Sequence, residues 1–306
     1  MGVICDISVV VSTKNRSQQV KRFMESLDIQ IQLPDELIIV DASEDNRTFE
    51  LIENKNQSSK YPLKYFKAAP GLTRQRNIGI RKSNGKCVFF FDDDVVLEPN
   101  FIDIVYNTFL DFEGHNVGGV TGRMTNIIRE GNLHDDLLKK VFFLTDRGVG
   151  KLKHSGFPAH RMDKKTAFVE VFSGFCMAYS REVLSKYLFD ERLSGYSYME
   201  DIDFSYRVSK EFKLVYQPAA KLEHLATTFK TANSMTLRRM MIQNHSYLFR
   251  KNLPQNIVHI FAHLMSILGV FLNNLVFLKD LKACIGVAEG FWNGTIRRKG
   301  PYRPKA

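Results

Sequence analysis

The sequence predicts an α/β fold in which a mainly parallel, Rossmann-like central sheet is followed by a helical C-terminal extension. Three observations support this prediction. Short apolar runs of strand length alternate with amphipathic segments of helical length through the first hundred residues. Polar or acidic residues stand directly after those apolar runs. The whole formal net charge of +10 falls in the last quarter of the chain.

The uneven charge divides the chain into a neutral body and a basic extension. Residues 1–229 hold 31 basic and 31 acidic side chains, whereas residues 230–306 hold 12 basic and 2 acidic ones. This distribution argues against a basic nucleic-acid-binding domain, and we expect no nucleic-acid partner. With 44% hydrophobic residues the chain is globular, and a body of this length can bury one large core.

Each element of the N-terminal half has its own pattern. Unbroken apolar runs predict strands at residues 7–11, 36–40, 63–66 and 86–91. The segments between them predict helices at residues 17–27, 45–55 and 71–81. The first of these helices carries its apolar side chains on one face, at Val20, Phe23, Met24 and Leu27. The alternation indicates parallel strands joined by crossover helices.

Beyond residue 120 the pattern loosens. Residues 125–167 are polar and charged, which predicts an insertion or loop region of the kind that often determines substrate selectivity. Residues 168–179 and 213–216 are predicted as strands, and residues 198–209 as a helix. The four cysteines are far apart, so we expect reduced, buried thiols in a cytoplasmic protein: Cys5, Cys87, Cys176 and Cys284.

Polar residues at the strand ends are the first candidate functional residues. Ligands of doubly wound sheets bind beyond the carboxyl ends of the strands, so these residues should converge on one crevice. They are Ser12, Thr13, Asn15, Asp41, Ser43, Asp92, Asp93 and Asp94. Three adjacent carboxylates repel one another unless a cation is near. In an extended segment Asp92 and Asp94 point to one side and Asp93 to the other, which predicts a Mg²⁺ or Mn²⁺ site.

The segment CVFFFDDDV resembles the DxD segment of glycosyltransferase family 2, whose members have the GT-A fold and invert the anomeric centre. Further segments resemble the family's motifs in the same order: SVVVSTKNR, LIIVDASEDN, PGLTRQRNIGI, FSGFCMAYSREVL and FDERLSGYSYMEDIDFSYRV. The resemblance covers roughly residues 5–225 and implies a nucleotide-sugar half at about 1–122 and an acceptor half at about 123–229. VDASEDN departs from the family because it lacks the usual Gly-Ser after the aspartate, and residues 125–167 have no clear counterpart.

The resemblance implies a set of residues that contact the nucleotide-sugar donor. Its members come from the ends of the predicted strands and from the helix after Pro70-Gly71. They are Thr13, Arg16, Asp41, Arg74, Asn77, Asp92 and Asp93. In this assignment Asp41 accepts a hydrogen bond from a base N–H such as uracil offers, which favours a UDP- or dTDP-linked sugar.

The resemblance also implies the residues that hold a metal ion and carry out the transfer. Asp94, Asp92 and His224 of KLEHLATT are the expected ligands of Mn²⁺ or Mg²⁺. Asp201 is the expected general base, with Glu200 beside it as an orienting group or acceptor contact. Such a base accepts the proton of an acceptor hydroxyl as that hydroxyl attacks the sugar, and the metal stabilises the diphosphate leaving group.

The expected reaction is therefore inverting transfer of a sugar to a saccharide or lipid-linked saccharide acceptor. Two other classes remain open. A sugar-nucleotide nucleotidyltransferase also uses carboxylates and Mg²⁺, but it typically has a glycine-rich basic loop after the first strand, and STKNRSQQV has no glycine. A non-catalytic saccharide-binding protein would not need two separate acidic sites.

The extension contains an apolar segment long enough to span a bilayer. Residues 257–278 have no formally charged side chain. In a helix their polar side chains fall within one arc, namely His259, His263, Ser266, Asn273 and Asn274. Cations stand at both ends of the segment. This pattern favours peripheral contact with an anionic membrane through residues 250–300, at the inner face of the cell membrane, while homo-oligomer packing and a true span stay open.

Overall fold

Apolar runs of the N-terminal half form strands because both faces of the sheet are covered. The computed structural model describes residues 6–126, 139–144, 150–161, 163–225 and 234–303. In chain order the body contains β1 (Ile7–Thr13), α1 (Ser17–Asp28), β2 (Glu36–Asp41), α2 (Arg47–Asn56), β3 (Leu63–Lys67), α3 (Leu72–Lys82), β4 (Cys87–Asp92), β5 (Val95–Leu97), α4 (Phe101–Asp111), β6 (Val117–Met124), β7 (Lys151–Leu152), β8 (Pro158–Ala159), β9 (Ala167–Val169), β10 (Cys176–Ser180), α5 (Arg181–Lys186), α6 (Glu200–Val208) and β11 (Lys213–His224).

Nine of these strands form one sheet in the order β3-β2-β1-β4-β10-β6-β11-β5, with β9 paired to β11. Strands β1 to β4 pair in parallel, and β6 pairs in parallel with β11, whereas β10 is antiparallel to both of its neighbours. The predicted α/β class with a mainly parallel sheet is confirmed. Strand β6 spans Val117–Met124. Residue 122, predicted as the boundary between the two halves of the body, therefore falls inside a strand of this sheet.

Alternating side chains of each central strand enter two different cores. Val9 and Val11 of β1 pack in a cluster on one face of the sheet, and Val10 packs in the cluster on the other face. Phe91 and Phe90 of β4 divide in the same way. This burial on both faces is the reason that the strands are continuous apolar runs. The described cysteines, Cys87, Cys176 and Cys284, are free and buried, as predicted.

Two predicted strands of the body are wrong in their bounds. Residues 168–179 form two strands, β9 and β10, separated by a loop that carries Gly174 into the cleft described below. The short strand predicted at residues 213–216 continues to His224, past Pro218, because its register shifts between Tyr216 and Lys221. That irregularity accommodates the proline and brings the end of β11 beside β5.

The described part of the C-terminal extension contains three helices: α7 (Ser234–Asn252), α8 (Ile257–Leu272) and α9 (Leu281–Phe291). A π-helical turn extends α8 over Asn273–Phe277, and another extends α9 over Trp292–Ile296. The domain boundary predicted at residue 229, like parts of the 125–167 region, lies outside the described residues.

Glycines at a spacing of four allow α9 to lie directly on α7. An added Cβ at Gly286 would meet the Met235 carbonyl oxygen at 2.1 Å, and one at Gly290 would meet the Arg239 carbonyl oxygen at 2.8 Å. Gly294 continues the series and approaches Ser246. The two backbones therefore touch, which any larger residue at these positions would prevent.

Helix α8 is oriented with its polar stripe toward the protein. His263, Ser266 and Asn274 are buried, and the Asn256 side chain caps the helix by accepting from the His259 N–H. On the opposite side of the helix, apolar side chains such as Phe261 and Leu268 are exposed. The helix predicted for residues 257–278 is thus confirmed, and its polar arc packs on the rest of the chain.

Candidate functional site

A cleft of about 1000 Å³ opens at the carboxyl ends of the parallel strands. The ends of β1 and β4 form its floor with Thr13, Asp92, Asp93 and Asp94, as the strand-end argument predicted. The opposite wall is the loop around Gly174 and the start of α6, including Glu200 and Asp201. The extension closes a third side with residues of α7 and α8, namely Arg238, Met241, Val270, Asn273 and Asn274.

Arg16 binds two of the three adjacent aspartates. Its guanidinium lies 2.8 Å from Asp93 Oδ1 and 2.7 Å from Asp94 Oδ2, and the Thr13 hydroxyl donates to Asp93 Oδ2 at 2.6 Å. The prediction that Asp93 points away from Asp94 is therefore wrong. Strand β4 ends at Asp92, and the next two residues form a turn, so the alternation of an extended strand does not continue.

Burial and charge affect these carboxyl groups differently. Burial raises the pKa of Asp93 to about 7, against the opposing effect of Arg16. Burial also acts to raise the pKa of Asp94, but its hydrogen bonds with His224 and Arg16 outweigh burial and lower that pKa. The hydrogen bond to Asp94 likewise outweighs burial at His224 and raises the pKa of the imidazole. The site thus holds a charged Asp94 between two cationic or donor groups.

Asp92, Asp94 and His224 form a cluster that can hold a metal ion. One ligand atom from each lies within 4.8 Å of the others, and His224 Nε2 is 2.9 Å from Asp94 Oδ1. Strand pairing creates this cluster, because β11 places His224 opposite Val95, next to Asp94. Two carboxylates and an imidazole suit Mn²⁺, and the carboxylates also suit Mg²⁺. The residues present therefore fit a divalent cation.

Arg76 connects the two walls of the cleft. Its side chain is only 2% exposed and forms an ion pair with Glu200, while Nη2 lies 3.2 Å from Asp92 Oδ1 and 2.8 Å from the Gly174 carbonyl oxygen. Burial raises the pKa of Glu200 to about 8 even though Arg76 opposes it. A buried guanidinium with three acceptors holds the Asp92 side and the Glu200 side of the cleft at a fixed separation.

Asp201 is oriented by backbone N–H groups and stays open to the cleft. Its Oδ2 accepts from the Gly174 N–H at 2.7 Å, and its Oδ1 accepts from the Ile202 N–H at 2.9 Å. Met199, before α6, has a φ of 70°, the left-handed conformation, and this turn directs the helix start into the cleft. Asp201 therefore has fixed carboxylate oxygens on the cleft wall.

Three residues predicted to contact the donor lie elsewhere. Asp41 is fully buried, and its oxygens accept from Ser43 and from the Tyr65 hydroxyl. Asn77 is also buried, where its amide bonds the backbone of Phe189 and the side chain of Glu191. Arg74 is 52% exposed and 3.6 Å from Glu191. None of the three is among the residues that line the cleft.

Sequence reasoning missed Arg76 as a site residue. The family resemblance assigned Arg74, two residues earlier on the same helix, to the donor contacts instead. The signal was the face of α3, because Thr73, Arg76 and Ile80 follow one another at helical spacing and all three are buried. The wall supplied by Asn273, Asn274 and α7 was missed as well, because nothing in the sequence shows which way the polar stripe of α8 faces.

Comparisons with known proteins agree with this geometry. Residues 8–188 match the model of the family described as "Glycosyl transferase family 2". No curated protein sequence matches the chain. Solved structures that resemble it include the mannosyltransferase PcManGT from Pyrobaculum calidifontis in complex with GDP-Man and Mn²⁺, with a TM-score of 0.60 and 14% identity over 97% of this chain and 89% of that one.

Two further solved structures are similar in fold. The S. aureus TarS fragment 1–349 in complex with UDP-GlcNAc has a TM-score of 0.58 and 15% identity, covering 95% of this chain and 82% of that one. GalNAc-T7 with UDP, GalNAc and Mn²⁺ has a TM-score of 0.58 and 13% identity, covering 92% of this chain and 58% of that one. At these identities the likeness concerns the fold. With the family match over more than half of its length, the chain belongs to glycosyl transferase family 2 and is a glycosyltransferase.

Proposed function

We propose that the enzyme is an inverting glycosyltransferase that moves a sugar from a nucleotide-diphospho-sugar, UDP- or dTDP-linked, to a saccharide or lipid-linked saccharide. The observation that carries the proposal is the division of one cleft into two acidic sites. Asp92, Asp93 and Asp94 form the floor, and Asp201 stands on the opposite wall with its oxygens held by backbone N–H groups. Several structures with the same fold were solved with UDP, UDP-GlcNAc or GDP-Man.

The acidic floor suits a nucleoside diphosphate only together with a cation. Asp92, Asp94 and His224 would hold Mn²⁺ or Mg²⁺, which supplies positive charge for the diphosphate leaving group. Arg16, which contacts Asp93 and Asp94, keeps the remaining negative charge of the floor compensated. Thr13 and Arg16 stand at the end of β1, where they would contact the nucleoside.

Asp201 serves as the base of a single displacement. The acceptor hydroxyl gives its proton to Asp201 as its oxygen attacks C1 of the sugar, and the bond between C1 and the diphosphate oxygen breaks on the opposite side. Attack from the opposite side inverts the anomeric configuration. Glu200 is tied to Arg76, and its other carboxylate oxygen, Oε2, is buried with no hydrogen-bond partner among the described residues. In this proposal Glu200 acts as the orienting group beside Asp201, held in place by Arg76.

The position of Asp41 bears on the donor base. Since both of its oxygens are already bonded inside the body, contact with a base N–H requires the Ser43 or Tyr65 contact to open. A thermal-shift series of UDP-, dTDP- and GDP-linked sugars with Mn²⁺ tests the base directly. A larger shift with GDP-sugars than with UDP- and dTDP-sugars would contradict the uridine- or thymidine-type assignment.

The Asp201→Asn variant tests the reaction. We expect transfer to fall by about 10³-fold, within the range of general-base catalysis, while Mn²⁺-dependent nucleotide binding measured by calorimetry stays within about twofold. The exposed Asp111→Asn on α4 removes the same charge outside the cleft and should leave both quantities unchanged. Normal turnover by the Asp201 variant would disprove the base assignment.

The sequence-based prediction of a cytoplasmic enzyme at the inner face of the cell membrane belongs to this proposal. Reduced, buried thiols agree with a cytoplasmic setting. Burial raises the pKa of Cys176 to about 12, which keeps that thiol protonated and unreactive. A homo-oligomeric state remains a prediction.

A further inference from the structure

We propose that the C-terminal extension binds an anionic lipid bilayer in the plane of its surface, through an outward apolar face. We call the exposed large apolar side chains of residues 257–296 the apolar face. Its members are Ile257, Val258, Ile260, Phe261, Leu264, Leu268, Leu275, Val276, Phe277, Leu278, Leu281, Ile285, Trp292 and Ile296. Within the described residues, these are fourteen of the 22 exposed large apolar side chains.

The exposed apolar area of the apolar face is larger than that of the largest apolar patch on a typical monomer. Its side chains range from 37% exposed at Ile260 to 79% exposed at Ile257. Together they leave on the order of 1000 Å² of apolar surface in water, above the roughly 300–600 Å² of the largest patch on a typical monomer. Helices α8 and α9 contact each other, and the exposed run Leu275–Leu278 joins them.

The spacing of the exposed apolar side chains along α8 and α9 indicates a surface that another apolar phase covers. On α8, Ile257, Phe261, Leu264 and Leu268 repeat at spacings of three and four residues, which forms one stripe along the helix. On α9 the same spacing connects Leu281 with Ile285. In a helix of a water-soluble protein such a stripe faces the core, whereas here the opposite, polar stripe is buried.

Ile257–Phe277 is long and apolar enough to cross a membrane, but its contacts favour in-plane binding. His263 and Ser266 are buried against the protein, and an added Cβ at Gly269 would lie 2.3 Å from Phe142 Cβ. A membrane-spanning position would remove these contacts and bring the polar stripe into hydrocarbon. Binding in the interface keeps every one of them and covers only the apolar face.

Cations at the ends of the helices indicate which membrane surface fits. Lys279 and Lys282 follow the end of α8, and Arg297, Arg298 and Lys299 follow α9. All five are exposed, and within the described residues none of them forms an ion pair. An apolar helix pair flanked by uncompensated cations matches a bilayer with anionic head groups.

The same charges argue against a second copy of the chain as the occupant. A two-fold interface would place two identical faces against each other. Residues 230–306 carry 12 basic and 2 acidic side chains, so each copy would bring a strongly positive extension to the contact. Repulsion between them favours the anionic lipid surface as the partner.

Docking in this way would place the catalytic cleft beside the lipid head groups. Val270, Asn273 and Asn274 of α8 line the cleft, while Leu268 and Leu275 of the same helix belong to the apolar face. The bilayer would then be about one helix diameter, roughly 10 Å, from the cleft. This part of the inference rests on the proposed function, because it names the acceptor as an amphiphile whose polar head reaches Asp201 from the membrane surface.

The single tryptophan of the chain provides a direct probe. Trp292 is 51% exposed and belongs to the apolar face. We expect its emission to move to shorter wavelength when the full-length chain is added to phosphatidylcholine vesicles containing 30% phosphatidylglycerol. Lipids brominated near the head-group end of the chains should quench it more than lipids brominated near the bilayer centre.

Variants separate the apolar and charged contributions. The triple variant Phe261→Ser, Leu264→Ser and Leu268→Ser should weaken partitioning to these vesicles by about 100-fold. Each Gln substitution at Lys279, Lys282 or Arg298 should weaken it by about fivefold on anionic vesicles only. The matched control is Ile29→Ser, Ile31→Ser and Leu110→Ser, which removes three exposed apolar side chains from the body and should bind vesicles like the unmodified chain.

Three results would overturn the proposal. One is an unchanged Trp292 spectrum with anionic vesicles. Another is salt-insensitive binding with strongest quenching at the bilayer centre, which would indicate a span. A third is a concentration-dependent dimer, lost in the triple variant, without vesicle binding. Nucleotide binding and transfer to a soluble saccharide distinguish the two proposals. Both should persist in the triple variant, which loses only vesicle binding. If only the proposed function is wrong, both are absent while vesicle binding remains.

Discussion

Strand β4 buries Phe89, Phe90 and Phe91 in the body and ends on Asp92 in an open cleft, whereas α8 buries His263 and Ser266 and leaves a stripe of apolar side chains in solvent. Both elements are apolar runs in the sequence. The body covers its apolar residues on both faces of the sheet and keeps charge for the cleft. The extension buries polar side chains beside apolar ones such as Ile267 and Val270, and exposes a large apolar stripe.

The difference teaches that apolar content alone does not determine where a segment lies. In the body, burial of apolar side chains away from water drives the fold. In α8, two buried polar donors find acceptors within the helix, since the Ser266 hydroxyl donates to the His263 carbonyl oxygen and the Asn274 amide N–H donates to the Val270 carbonyl oxygen. The exposed apolar stripe of α8 is then left to contact the lipid bilayer proposed above. Four predictions test this contrast, from the largest expected effect to the smallest.

The first test concerns the buried guanidinium of Arg76 in the body. Arg76→Ala should lower the free energy of unfolding by about 3–5 kcal/mol, because it leaves Glu200 and Asp92 without their cation inside the cleft wall. Arg74→Ala, two residues earlier on α3 and exposed, should change it by less than about 0.5 kcal/mol. Urea titration followed by circular dichroism measures both. Equal losses would contradict the central role of Arg76.

The buried histidines of the extension provide the second test. Burial lowers the pKa of His263 to about 4, and burial together with His263 holds the pKa of His245 well below its usual range. Below pH about 6.5 these histidines take up protons in the unfolded chain but not in the folded one, so their contribution to stability is lost between pH 6.5 and 4. His263 alone accounts for about 3 kcal/mol of this loss.

The measurement for this pH dependence is urea unfolding, followed by Trp292 fluorescence at pH 7, 5.5 and 4.5. His263→Gln should show a clearly smaller loss of stability on acidification than the unmodified chain. The reason is that glutamine packs in place of the imidazole but does not titrate. A variant as sensitive to acid as the unmodified chain would show that His263 titrates in the same way in the folded and unfolded states.

The third test concerns the metal cluster. Asp94→Ala should weaken Mn²⁺-dependent nucleotide binding by about 30- to 100-fold, because it removes one candidate ligand and the partner of His224. Chelation of the metal should weaken binding by the unmodified chain to a similar level. Asp45→Ala, a carboxylate after β2 outside the cleft, serves as the control in calorimetry. Metal-independent binding by both proteins would refute the site.

The smallest expected effect tests the packing within the extension. Gly286→Ala should lower the free energy of unfolding of the extension by about 1–2 kcal/mol, because the new Cβ meets the Met235 carbonyl oxygen. Gly300→Ala adds a Cβ with nothing within 4 Å and should be neutral. Trp292 fluorescence during urea unfolding reports the change within α9 itself. A stabilised Gly286 variant would mean that α9 does not lie on α7 as closely as described.

Much of the body could be predicted from its sequence. Residues 7–11 and 86–91 read as strands because an unbroken apolar run of that length suits a sheet covered on both sides. The position of Asp92–Asp94 at a strand end followed from the same reasoning, whereas the turn that they form did not. Arg76 could not be distinguished from Arg74 in this way, since charge and helix propensity are equal at the two positions. Only the packing of α3 against the cleft wall buries one of them and exposes the other.

The sequence by itself determined local properties: the strand periods, the acidic strand end, the segregated charge and the polar stripe at residues 259–274. These depend on neighbours along the chain, which a single sequence displays. Tertiary structure decided that His224 meets Asp94 across 130 positions, and that the polar stripe of α8 faces inward, with Asn273 and Asn274 lining the cleft. Both outcomes depend on strand register and helix rotation. These are set by the summed packing of many distant side chains and are not visible in any local pattern.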